Sequence, residues 1–253
     1  MLKRAVLTAL LSLMMEGDVL AQTPASIWVR PSSEQMAAAQ QATEARERLD
    51  WPYLARYRAE NAALPPPDPQ IPRVVFLGDS ITEVWKGADP AFFAKPGYVN
   101  RGVGGQTTPQ MLVRFRADVI DLKPRLVHIM AGTNDIAGNT GPEDQAQIEN
   151  NLMTMVELAR AHHIRVVLGS VPPASEIFWR AGQDPIPRIA ALNAWIKAYA
   201  AREGVVYADY YAVLTDGAGG MRPAYSRDGV HPTPAGYAVM EAVTEAALQK
   251  ALR

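Results

Sequence analysis

From Arg73 onward the chain alternates between two kinds of hydrophobic pattern. Short apolar runs at Val74–Leu77, Leu126–Met130, Ile164–Leu168 and Val205–Ala208 are bounded by Gly, Pro or Asp, the pattern of strands buried on both faces. Tyr98-Val99 is a fifth candidate strand. Between the runs, apolar residues recur at helical spacing. Ile148, Leu152, Met155, Val156 and Ala159 share one face, and Ile189, Leu192, Trp195, Ile196 and Tyr199 share another. Thr108-Pro109 opens a further helix with a capping residue and a Pro at the first helical position, and a last helix runs from about Pro234 to Leu252. Strands alternating with helices predict an α/β domain over 73–253, a mostly parallel five-stranded sheet with helices on both faces.

The front of the chain reads differently. Residues 33–63 are helical in pattern, with Leu49, Tyr53, Leu54 and Tyr57 at helical spacing and a break before Pro52. Leu64–Pro72 is a stiff, Pro-rich linker. Residues 22–72 are therefore expected to form a helical arm and linker packed on the main domain, being too small for a core of their own. Ahead of them, Lys3 and Arg4 precede an apolar run of 11 residues, Ala5–Met15, and Ala21 supplies a small residue before Gln22. This predicts a signal peptide over 1–21 and a periplasmic or secreted protein, since a membrane span needs about 20 apolar residues. No later stretch is long and apolar enough to span, so no stable membrane insertion is expected after its removal.

Composition narrows the chemistry. Of 253 residues 48% are apolar, and 25 Lys and Arg balance 26 Asp and Glu. That suits a globular protein and lacks the basic excess of a nucleic-acid binder. With no cysteine, disulfides and thiolate nucleophiles are excluded.

In a parallel sheet, ligands bind at the carboxyl ends of the strands. The polar and glycine-rich clusters all fall there: Gly78-Asp79-Ser80, Asn100-Arg101-Gly102-Val103-Gly104-Gly105 and Gly132-Thr133-Asn134-Asp135. Ser80 follows a strand and opens a turn, where a hydroxyl faces solvent. A serine needs a base to take its proton, and the base needs a third group to orient it. Of the four histidines, His128 lies inside an apolar strand and His162 and His163 end a helix. His231 has a carboxylate three residues before it, Asp228, in a turn-rich loop, a spacing that lets the carboxylate hold one ring nitrogen while the other faces Ser80. Acyl transfer also needs donors for an oxyanion. The Ser80 N–H, an N–H of the turn ending at Gly105 and the Asn134 amide are the candidates.

These four blocks, in this order, resemble the signature blocks of the SGNH (GDSL) hydrolase family over roughly Arg73 to Arg253. The resemblance implies a flavodoxin-like three-layer α/β/α fold, with Ser80 as nucleophile, His231 as base and Asp228 as its orienter. It also implies that Gly105, which directly precedes the polar pair Gln106-Thr107, completes the oxyanion hole with Ser80 and Asn134. Competing motifs are absent: Ser80 is not in a Gly-x-Ser-x-Gly elbow, Gly102-Val-Gly104 lacks the third glycine of a dinucleotide fingerprint, and there is no P-loop or His-Glu-x-x-His helix. No cofactor or metal is expected.

The reading is a serine esterase acting through an acyl-enzyme on short-acyl esters, with O-acetyl carbohydrate or a small ester as partner. Trp85, Trp179 and Tyr225 are candidate substrate-stacking residues. A lysophospholipase or thioesterase of the same family, or a non-catalytic carbohydrate-binding relative, are the alternatives. Because the base must be neutral, activity is expected to fall on acidification.

Overall fold

The computed structural model describes residues 30–253, so the segment read as a signal peptide lies outside the described residues. Five strands, β1 (Val74–Gly78), β2 (Tyr98–Gly102), β3 (Leu126–Met130), β4 (Arg165–Gly169) and β5 (Val206–Ala208), form one sheet in the order β2-β1-β3-β4-β5. All its pairings are parallel, and the register sets Gly78 of β1 between Gly102 and Met130. The carboxyl ends of these strands therefore lie level, which gathers their loops along one edge.

The inner strands β1 and β3 are buried on both faces, and alternate residues point to opposite layers. Val75, Leu77, Val127, Ile129 and Leu168 join one core. It is covered by α5 (Thr108–Asp118), α7 (Gln145–Ala161) and α8 (Ile186–Glu203), with the short α6 (Thr133–Ala137) beside α8. Val74, Phe76, Leu126, Met130 and Val167 join the other core. That layer holds α3 (Ser80–Ala88), α4 (Pro90–Phe93), α9 (Tyr210–Leu214) and α10 (Pro234–Leu252). The result is the three-layer α/β/α architecture expected from the pattern, with every strand pair parallel.

The helices start where local chemistry directs them. Asp144 caps α7 by accepting the Gln147 N–H at 2.9 Å, and Gln147 returns a bond to the Asp144 N–H, a capping box. Thr107 and Gln110 do the same for α5, with Pro109 in its first turn.

Residues 33–63 hold two helices rather than one with a single break, α1 (Ser33–Glu47) and α2 (Arg58–Ala63). Between them Asp50 accepts the N–H groups of Leu54 and Ala55, both at 2.8 Å, and holds a turn that Pro52 could not enter as helix. The segment then lies against the domain. Asn61 Nδ2 donates to Asp118 Oδ1 at 2.7 Å and Asn61 Oδ1 accepts from Arg101 Nε at 2.8 Å. Among the described residues no helix is long and apolar enough to cross a membrane.

Candidate active site

Ser80 is placed by a junction with no slack. Gly78 ends β1 at a point where a Cβ would come within 2.1 Å of Thr82 Oγ1 and 2.8 Å of the Met130 carbonyl, so only glycine fits. Asp79 then caps α3, its Oδ1 accepting the Ile81 N–H at 2.9 Å. Ser80 is the first residue of that helix. Its N–H therefore has no intrahelical partner and points with the helix dipole toward the strand edge.

His231 and Asp228 come from the loop before α10. Asp228 Oδ1 accepts the N–H groups of Val230 and His231, both at 2.8 Å, which folds the loop around the carboxylate. Gly229, at φ +88°, supplies the left-handed residue this turn requires. Asp228 Oδ2 is then 2.7 Å from His231 Nδ1, and His231 Nε2 is 2.9 Å from Ser80 Oγ. A hydroxyl and an imidazole 151 positions apart thus join a carboxylate in one chain of hydrogen bonds. Burial pushes the Asp228 carboxyl up, but the hydrogen bond and charge of His231 and the backbone donors outweigh it and hold it below its ordinary value. Asp228 stays anionic and can fix the imidazole with Nε2 toward Ser80.

The residues expected to supply oxyanion donors come from the turns after β2 and β3. Gly105, at φ +77°, ends the turn after β2, where the Gln106 N–H closes on the Val103 carbonyl at 3.3 Å. A Cβ on the neighbouring Gly104 would lie 3.6 Å from Ser80 Cβ, which sets the turn directly against the serine. Asn134 sits in the first turn of α6, after Gly132, where a Cβ would meet Leu192 at 2.7 Å. Its Nδ2 donates to the Gln106 carbonyl at 3.1 Å and to Asp79 Oδ2 at 3.3 Å. The next residue, Asp135, turns away and accepts the Thr108 N–H at 2.8 Å, locking α6 to α5. Burial pushes the Asp79 carboxyl up to about 6, and the nearby His231 works against that rise.

The aromatic candidates separate. Trp85 is fully buried in α3, stacked on Phe92 at 5.0 Å and on Tyr237 at 5.3 Å, and cannot meet a substrate. Its helix turns Ile81, Thr82 and Trp85 toward the sheet, and this corrects the expectation from sequence. Tyr225 packs half-buried against the second core with the Arg222 guanidinium 5.8 Å from its ring centre. Trp179 alone of the three has its ring beside His231, at 6.4 Å, and Phe178 joins it at the same distance.

Several residues at the site escaped the sequence reading. Glu83, one helical turn after Ser80, accepts the Gly104 N–H at 2.7 Å and pairs with Arg56 of the arm at 3.1 Å. The Tyr57 hydroxyl donates to the Gly102 carbonyl, and Gln106 Nε2 donates to the Pro52 carbonyl at 2.7 Å. The arm thus grips the glycine turn from outside. Asn139 bonds both Asn134 and Gly105. Of these only Gln106 lay within a recognisable block. Among the described residues no three His, Asp or Glu side chains gather as a metal-ligand set.

Comparison with known proteins identifies the family of this chain. Residues 76–239 match the model of the GDSL-like Lipase/Acylhydrolase family. A GDSL-like lipase from Bacteroides thetaiotaomicron VPI-5482 is 46% identical and superposes with a TM-score of 0.79, covering 80% of this chain and 100% of its own. Esterase TesA of Pseudomonas aeruginosa is 30% identical over 163 residues, 62% of this chain and 73% of that protein. The lipoprotein YqeF of Bacillus subtilis is 38% identical over 81 residues, 31% of this chain, and the match spans only 33% of that lipoprotein's length. With Ser80 and Asn134 just past the level ends of β1 and β3, the His231 loop against Ser80, and these likenesses, the chain belongs to the GDSL-like lipase/acylhydrolase family and is a carboxylic ester hydrolase of the SGNH type.

Proposed function

We propose that this hydrolase cleaves short-acyl esters through an acyl-enzyme on Ser80, with His231 as general base and acid, Asp228 as its orienter, and an oxyanion hole made of the Ser80 and Gly105 N–H groups and the Asn134 amide. The single observation that carries the reading is the continuous relay from Ser80 Oγ through His231 to Asp228, at 2.9 and 2.7 Å. Ser80 Oγ attacks the acyl carbonyl as His231 Nε2 takes its proton. The tetrahedral oxyanion is met by the three donors, and of the two Asn134 hydrogens the one toward Asp79 is held at 3.3 Å, longer than the 3.1 Å bond to the Gln106 carbonyl. Collapse expels the alcohol, which takes the proton from His231. Water, deprotonated by the same imidazole, then releases the acid and restores Ser80.

The side chains around His231 argue for the kind of alcohol that leaves. His231 delivers the proton to the leaving oxygen, so whatever flanks its ring borders the alcohol half of the ester. Phe178 and Trp179 stand there, beside the polar Asn139. The Trp179 face, with Phe178 set edge-on to it at 80° and the Asn139 amide at its rim, suits a sugar with a CH-rich face and hydroxyl rim better than a lipid tail. O-acetyl carbohydrate is therefore the preferred substrate class, ahead of lysophospholipid or thioester. The leader-like pattern of residues 1–21 and the likeness to a lipoprotein support a periplasmic or secreted setting.

Two measurements test this. A phosphonate serine probe labels the wild-type chain at Ser80 in a peptide map. Rates on aryl esters from two to about sixteen carbons, set beside acetylated sugars, are highest at short acyl chains. Since each buried methylene adds roughly 0.8 kcal/mol in a tunnel built for it, a rate that climbs with chain length would replace the acetate preference by the lipid one.

A further inference from the structure

Asn139, just past the left-handed end of α6, joins three parts of the site through one amide. Its Nδ2 donates to Asn134 Oδ1 at 2.9 Å and to the Gly105 carbonyl at 3.0 Å, and its Oδ1 accepts from Trp179 Nε1 at 3.0 Å. The direction of each bond is forced. An indole N–H can only donate and a peptide carbonyl can only accept, so the amide oxygen must face Trp179 and the NH2 must face Gly105. Both hydrogens are then committed, and the second of them meets Asn134 Oδ1.

That contact decides which end of Asn134 faces the reaction. A primary amide is nearly symmetric in shape, and turning Asn134 by half a rotation would present an oxygen where the oxyanion forms. With its oxygen held by Asn139, Asn134 must direct Nδ2 toward Gln106 and Asp79, the side of Ser80. The same Asn139 NH2 group holds the Gly105 carbonyl, and hence the plane of that peptide and its neighbours in the turn. We infer that Asn139 is a positioning residue that sets the polarity of the oxyanion hole, aligning Asn134 and the Gly105 turn together, and that Trp179 fixes Asn139 in turn. The inference rests on the reading of Ser80 and Asn134 given above.

The test uses the whole chain carrying Asn139→Ala, Asn139→Asp or Trp179→Phe. Asn139→Asp keeps the shape but cannot donate when ionised, and Trp179→Phe keeps a ring but loses the indole N–H. On an aryl acetate, kcat falls about 10- to 100-fold in Asn139→Ala and Asn139→Asp while KM stays within about two-fold, because a misaligned donor is felt only by the developing charge. Trp179→Phe lowers kcat by roughly 2- to 5-fold; its ring also borders the substrate, so only its kcat is read. Thermal melting of Trp179→Phe, the variant least able to disturb the fold, stays near wild type and keeps the test open if an Asn139 variant folds poorly. Unchanged kcat in all three, or a rise in KM without loss of kcat in the two Asn139 variants, overturns the proposal. Phosphonate labelling separates the two levels: a labelled wild type with unaffected variants sinks the role of Asn139 alone, whereas an unlabelled wild type sinks the reading of Ser80 and this role with it.

Discussion

Among the described residues, two hydroxyl–imidazole contacts of nearly the same length have opposite consequences. At the strand edge Ser80 Oγ lies 2.9 Å from His231 Nε2, and inside the sheet layer the Tyr210 hydroxyl lies 2.7 Å from His128 Nε2. What differs is the far side of each ring. His231 Nδ1 has the Asp228 carboxylate at 2.7 Å, while His128 Nδ1 is buried with no partner. The His231 side chain also keeps some solvent contact, at 16% exposure, whereas His128 has none. A ring that must gain a proton needs an anion to stabilise the cation, and a proton needs a way in and out. His128 has neither, and burial pushes its pKa down to about 3. The comparison shows that hydrogen-bond length alone does not make a base; the second nitrogen and access to solvent do.

Substitutions at the edge should show the largest effects. Ser80→Ala leaves the fold intact and lowers kcat/KM by roughly 10^5-fold or more, read as loss of aryl-ester turnover at unchanged thermal melting. Turnover within ten-fold of wild type would break the contrast, since the edge pair would then be as inert as the buried one. Asp228→Asn makes His231 resemble His128 by removing the anion from its second nitrogen. It is expected to cost about 10^3- to 10^4-fold in kcat. A small loss would mean that orientation by the backbone of the loop is enough.

The buried pair should instead report on stability. His128→Gln leaves kcat within about three-fold but lowers stability at pH 7 by about 1–3 kcal/mol in urea unfolding, through lost packing and an altered bond to Tyr210. Its sharper signature is with pH. The folded pKa of His128 lies near 3, below its ordinary 6.5, so between those values the unfolded chain takes up a proton that the folded one refuses. Stability supplied by the neutral ring is then present above pH 6.5 and falls toward acid by up to about 1.4 kcal/mol per pH unit. Urea titrations at pH 7, 6, 5 and 4 should give a shallower decline for the variant, and equal slopes would refute this. Tyr210→Phe has the smallest effect, about 1 kcal/mol of stability with no change in turnover, because Thr244 and His128 each lose one hydroxyl partner.

The same contrast explains what was legible in advance. Glycine-rich blocks at strand ends could be read because each is local: a buried apolar run, then residues whose backbone must turn sharply. Gly78 and Gly132 show why, since a Cβ at either would strike a neighbour. The Asp228–His231 pairing was readable for the same reason, lying within one turn. Trp85 was misjudged because its helix could have faced either way, and the sheet below it decided. Asn139 was invisible: its partners at Gly105 and Trp179 lie 34 and 40 positions away. The arm was expected to pack on the domain, but its contacts were equally opaque, since nothing in Pro52, Arg56 or Tyr57 announces bonds with Gln106, Glu83 and Gly102.

The amino-acid order by itself determined the strands, the helices between them, the parallel α/β class and the placing of polar blocks at carboxyl ends. Those follow from periodicity and steric limits that act over a few residues. Only the tertiary structure decided which face of α3 is buried, how the arm braces the glycine turn, and which end of the Asn134 amide faces Ser80. These depend on donors and acceptors brought together from distant positions, and a side chain cannot select its partner until the packed layers have set the distance between them.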